Sequence, residues 1–309
     1  MKKIDILTIE SPNRAPLKVE GYLFGEENNG PSVAIVGALS GDHINQLFAA
    51  SQFVDYLKVK EQEGMIKGKI LVIPAVNTYA LNMGETFWPL DKIDINMMFP
   101  GYDKGEATQR IAGKLFSALQ GFDYGIILEG RRDQGMCLPY IKLIKSGYED
   151  LEVAKSFGMR FIHYRTLSPI ETVMLQYNWQ LWGTKAVSLV FGKNGSISSN
   201  DTKNVHQSIT RFMAHYKILE NNLFTGFESN IIDSKNIIVL KADRAGIFDS
   251  KVECGTYVTK GEVLGKIYDS MNGEKLQTIT ASYEGVVTCQ YSYPLIFQNS
   301  IAFRMAVTN

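Results

Sequence analysis

The stretch VAIVGALSGDH, residues 33–43, decides how this chain is read. Five of its first six residues are apolar and several are β-branched, which suits a strand buried on both faces of a parallel sheet. In this reading Gly37 ends the strand and Gly41 lets the backbone turn tightly into a helix beginning at Ile44. Ile44, Leu47, Phe48, Phe53, Val54 and Leu57 recur at helical spacing beyond it. Ligands of open α/β sheets collect at the carboxyl ends of strands. Ser40, Asp42 and His43 are therefore expected at an active or binding site.

Working outward from this stretch, residues 3–9 and 17–23 alternate apolar and polar residues around Ser11-Pro12-Asn13 and read as a hairpin at a sheet edge. Residues 26–31 form a loop into the central strand. On the other side, 70–76 and 123–128 are further buried strands, the latter ending at Glu129. Residues 82–101 are irregular and rich in aromatics and turn formers, as site-lining loops often are. Strands over 139–144, 161–163 and 186–191 then alternate with helices over 149–157, 171–182 and 204–219, following one over 106–119. Such alternation predicts an α/β domain with a mainly parallel sheet and helices on both faces. A polar stretch at 220–236 reads as a linker. Beyond it, short β-rich runs punctuated by Gly246, Gly255, Gly261, Gly265, Gly273 and Gly285 predict an all-β sandwich or barrel. The expected domains are 1–225 and 235–309.

Bulk composition narrows the function classes. Of 309 residues, 32 are Lys or Arg and 32 Asp or Glu, so a zero net charge gives no general attraction to nucleic acid or anionic membrane. Cys137, Cys254 and Cys289 are odd in number, widely spaced and without a C-x-x-C pair. They are expected as buried thiols in a reducing compartment rather than as a disulfide framework or a thiolate metal site. No run of about 18 apolar residues occurs, so neither a spanning helix nor an export signal is read, and the expectation is a cytoplasmic protein. An edge hairpin before the central strand could pair with another subunit to form a homo-oligomer.

The order of motifs resembles the succinylglutamate desuccinylase/aspartoacylase family, relatives of the zinc carboxypeptidases. The family's G-x-H-G-x-E corresponds to Leu39-Ser40-Gly41-Asp42-His43. Its N-P-x-A corresponds to Asn77-Thr78-Tyr79-Ala80, and its D-L-N-R-x-F-P-G to Asp94-Ile95-Asn96-Met97-Met98-Phe99-Pro100-Gly101. A strand ending D-L-H is matched by Ile127-Leu128-Glu129. Residues 245–267 and 281–287 look like the family's β-domain, built like a biotinyl-carrier sandwich, though without the modifiable lysine of a carrier. The resemblance implies a zinc-carboxypeptidase-like fold and metal-assisted hydrolysis of an N-acyl bond on a small carboxylate-bearing molecule.

What the resemblance implies for the site is altered at most positions. The family's ligands, His, Glu and His, fall at Ser40, His43 and Glu129, as if imidazole and carboxylate had changed places. A zinc or other divalent ion would be held by His43 and Glu129, with Asp42 or Ser40 as a third donor. Val190 falls at the family's general base, leaving Glu129 as the substitute. The family's substrate arginines fall at Met97 and Thr86. Asn96 is retained for substrate, and Arg131 and Arg132 offer carboxylate binding from a new direction. Two readings stay open: a metal-dependent deacylase, or a non-catalytic small-molecule-binding or regulatory protein in which His43 and Glu129 form a hydrogen-bonded pair.

Overall fold

In the computed structural model, which describes all residues except 12, 14, 27–29, 132–134, 194–195, 222–224 and 308–309, β3 (Ser32–Ala38) is buried along its whole length. It lies between two parallel neighbours, β4 (Lys69–Ala75) and β5 (Tyr124–Glu129). A strand apolar on both faces needs cover on both, and helices supply it. On one face α1 (Ile44–Gln62) and α6 (Ser199–His215) enclose Ile35, Ile126 and Val187. On the other, α3 (Ala107–Ala118) and α5 (Leu175–Leu181) cover Val36, Ile127 and Ala186.

Gly37 is inside β3 rather than at its end. A Cβ there would approach the Pro74 carbonyl oxygen to 2.2 Å, so close packing of β3 on β4 requires the glycine.

Among the described residues the sheet has nine strands. Their order is β1 (Lys2–Ile9), β2 (Leu17–Phe24), β4, β3, β5, β9 (Lys185–Val190), β7 (Tyr140–Lys145), β8 (Phe161–Thr166) and β10 (Asn230–Asp233). The central run β4-β3-β5-β9 is parallel. β7 is inserted antiparallel to β9, with β8 parallel to β7. The β1–β2 hairpin forms the edge, its turn lying partly outside the described residues. Two short helices, α2 (Thr78–Met83) and α4 (Leu151–Lys155), complete this layer.

Two stretches differ from their sequence reading. Residues 171–182 are not one helix: a 3-10 turn, Pro169–Val173, is followed by extended Met174 and only then by α5. Ser168 donates from its amide and hydroxyl to the Glu171 carboxylate, which fixes that separate turn. The polar stretch after α6 is not all linker, since β10 lies within it.

The chain divides into two compact units, 1–130 with 139–231, and 131–138 with 232–309. The second unit contains β6 (Gly135–Cys137), β11 (Ile237–Lys241), β12 (Gly246–Ser250), β13 (Tyr257–Val258), β14 (Val263–Tyr268), β15 (Lys275–Thr280), β16 (Gly285–Tyr291), β17 (Leu295–Ile296) and β18 (Ile301–Val307). They form two sheets, β11-β18-β16-β13 with β6 on β16, and β15-β14-β12-β17, around Leu264, Ile267, Val287 and Phe303.

β6 corrects the cysteine expectation. It sets Cys137 directly opposite Cys289 on β16, with Cα atoms 4.1 Å apart, and the two form a disulfide. Cys254 remains a thiol. A separation of 152 residues conceals a pairing that only strand register creates, and cysteine usage no longer argues for a reducing compartment. No helix among the described residues is long and apolar enough to cross a membrane.

Candidate functional site

The chain leaving β3 forms a polar turn. The Ser40 hydroxyl lies 2.8 Å from both the Thr86 carbonyl oxygen and Asp42 Oδ1. Gly41 N donates to the same Thr86 oxygen at 3.0 Å. A Cβ on Gly41 would come within 2.2 Å of the Glu85 carbonyl oxygen, so the 85–86 strand of loop can lie here only against glycine. His43 follows at the start of α1, with its ring buried and Nε2 4.0 Å from Asp42 Oδ1.

The centre of the site lies across β5, β9 and β7. Register aligns Ile127, Ser188, Lys142 and His163 in one row, and Glu129, Val190 and Tyr140 in the next. Residues two apart on a strand share a face, so Glu129 and Lys142 meet diagonally over β9, where their carboxylate and ammonium form a direct ion pair. The Lys142 side chain is 5% exposed and that of Glu129 23%.

The surroundings fix this pair. Gln176 on α5 donates to the Lys142 carbonyl oxygen at 3.0 Å and accepts from the Ser188 hydroxyl at 3.0 Å. Ser188 is also within hydrogen-bonding reach of Glu129. Burial pushes the Glu129 carboxyl up, but Lys142, the His43 ring and Ser188 together hold it below the usual carboxylate range. At neutral pH Glu129 is a carboxylate and a weak proton acceptor.

A catalytic zinc takes three protein donors and keeps one open position. Among the described residues no three His, Cys, Asp or Glu side chains are grouped to hold a metal. Ser40 is engaged with Thr86 and Asp42, and Glu129 already faces an ammonium. The donors drawn from the sequence, Ser40, Asp42, His43 and Glu129, do not fit zinc in this arrangement. Val190, where the resemblance sets the family's general base, is 2% exposed.

The other expected residues are placed as follows. The Asn96 carboxamide oxygen accepts from Leu175 N at 3.1 Å, which anchors the start of α5. Asp94 accepts from Asn96 N at 2.9 Å and holds that turn. Arg131 belongs to the second unit, where its guanidinium donates to Cys289 Sγ at 3.3 Å. Arg132 lies outside the described residues. His206 packs on Phe53 and its Nε2 meets the Ala49 carbonyl oxygen at 2.7 Å.

Sequence reasoning missed Lys142, Ser188 and Gln176. For Lys142 and Ser188 the signal was present as single polar residues interrupting two otherwise apolar runs, YIKLI at 140–144 and AVSLVF at 186–191. A lone lysine inside an apolar strand requires a buried partner.

Comparison with known proteins bears on this geometry. A model of the succinylglutamate desuccinylase/aspartoacylase catalytic domain matches residues 29–216. An N-alpha-acetyl-L-2,4-diaminobutyric acid deacetylase of Halomonas elongata is 23% identical over 254 residues, 79% of this chain and 72% of that protein. Two solved structures share the fold. The ectoine utilization protein EutE (DoeB) of Ruegeria pomeroyi, bound to product, has a TM-score of 0.80 at 18% identity, covering 98% of this chain and 94% of that one. A succinylglutamate desuccinylase from a Silicibacter species has a TM-score of 0.81 at 16% identity, covering 99% and 93%.

Proposed function

The chain belongs to the succinylglutamate desuccinylase/aspartoacylase family, and from that premise we propose that it is a small-molecule-binding member that keeps the family's cleft without zinc-assisted hydrolysis. Its ligand is a small N-acyl, carboxylate-bearing compound of the kind handled by relatives such as the Halomonas deacetylase. Recognition uses the carboxyl ends of β3, β5 and β9, with the NH2 end of Asn96 directed to a ligand oxygen.

The observation that carries this reading is Val190. Amide hydrolysis needs an acceptor for the proton of the attacking water, and a buried valine cannot accept one. A second reading has one specific support: Glu129 is ionised and on the same sheet face as Val190, so it can act as the base of a deacylase. The depressed proton affinity of a carboxylate paired to Lys142 weighs against efficient transfer.

Purified protein, with and without added zinc, is assayed on a panel of N-acetyl and N-succinyl amino acids for release of the free amine and, in parallel, for calorimetric binding. Saturable binding with no release above buffer is the expected result. Release that disappears in Glu129→Gln would establish the deacylase instead.

A further inference from the structure

We infer that Lys142 is the resident cation of this site: its ammonium supplies the positive charge that an ion holds in a metallohydrolase, and Glu129 is its counter-ion rather than a metal ligand. This deepens the zinc-free reading above and rests on it.

A lysine is almost never buried without a partner, and Lys142 is 4% exposed. Its position is built rather than incidental. β7 places it beside Ser188 in register, Gln176 clamps its carbonyl oxygen, and the Ser188 hydroxyl donates in turn to Gln176. His163 stands opposite it on β8, and the next row presents Tyr140 on the same face. Cation and carboxylate are thereby held at the end of β5, where the family's third ligand falls. A divalent ion entering here would have to displace an ammonium already bonded to Glu129 and lie beside its positive charge. The donors left to it would be His43 and Asp42, fewer than zinc requires.

The experiment titrates zinc chloride calorimetrically into the full chain after chelator treatment, comparing wild type with Lys142→Met and with His43→Ala/Lys142→Met. The expected result is no specific uptake by wild type, a gain of about tenfold or more in zinc affinity for Lys142→Met, and loss of that gain in the double variant. Stoichiometric uptake by wild type that is lost in His43→Ala overturns the inference, as does a Lys142→Met protein that takes up no more zinc than wild type.

A second measurement needs only the wild type and the charge-conserving Lys142→Arg. The Lys142 ammonium should give a slowly exchanging 1H–15N signal, absent from Lys142→Arg and unmoved by zinc. A signal that zinc shifts or erases also overturns the inference. Neither readout depends on ligand binding or turnover, so failure of the functional reading is recognised separately.

Discussion

Replacing Lys142 by Met tests the pair as a stability element. The substitution keeps most of the side-chain volume and leaves the Glu129 carboxylate, 23% exposed, over Val190 with no ammonium. Breaking a buried ion pair from one side costs about 3–5 kcal/mol, whereas removing both charges is close to neutral. For a domain of this size such a loss lowers the melting temperature by about 6–20 °C.

The pH dependence changes with it. In wild type the Glu129 pKa lies below its unfolded value, so the pair's contribution is fully present above the unfolded value of about 4.5 and is lost as pH falls through the folded one. In Lys142→Met burial dominates and pushes the carboxyl up. That contribution then reverses, and the variant gains stability relative to wild type on mild acidification. Urea and thermal melts at several pH values give both quantities, with Glu129→Gln/Lys142→Met as the matched double variant. A single variant within about 1 kcal/mol of wild type, or a double variant no more stable than the single, refutes the reasoning.

Two further outcomes follow from other parts of the chain. Burial pushes His206 down despite its bond to Ala49, so its contribution is intact above the unfolded value of about 6.5 and is lost as pH falls through the folded one; His206→Gln should flatten the stability profile between about pH 5 and 7, and an unchanged slope would contradict this. Denatured, unreduced protein should titrate with one thiol, Cys254, against three after reduction; Cys137→Ser/Cys289→Ser should destabilise the second unit by about 2–5 kcal/mol in a denaturant melt, and three thiols before reduction would exclude the bond.

How much of this was readable in advance depends on whether the information is local. β3 was legible because residues 33–36 are apolar on both faces, a pattern that excludes an edge strand. The Gly-punctuated β-rich runs after residue 237 likewise announced short strands. Gly37 was misread because an approach by Pro74 from a neighbouring strand leaves no mark in its own segment. Cys137 and Cys289 were misread for the same reason, since register between β6 and β16 creates their contact.

The site shows the limit most directly. Motif comparison points to Ser40, His43, Glu129 and Val190 because the resemblance sets them against the family's donors and base, and it therefore reaches only positions that the motifs cover. Lys142 lies on a strand that no motif covers, and it reaches Glu129 only because β7 enters the sheet antiparallel beside β9. A buried carboxylate must be neutralised, by loss of its own charge or by a cation. Glu129 remains ionised, so the compensating residue had to be sought among unexplained buried cations. Among the described residues in the strand interiors of this sheet, Lys142 is the buried cation that answers that requirement.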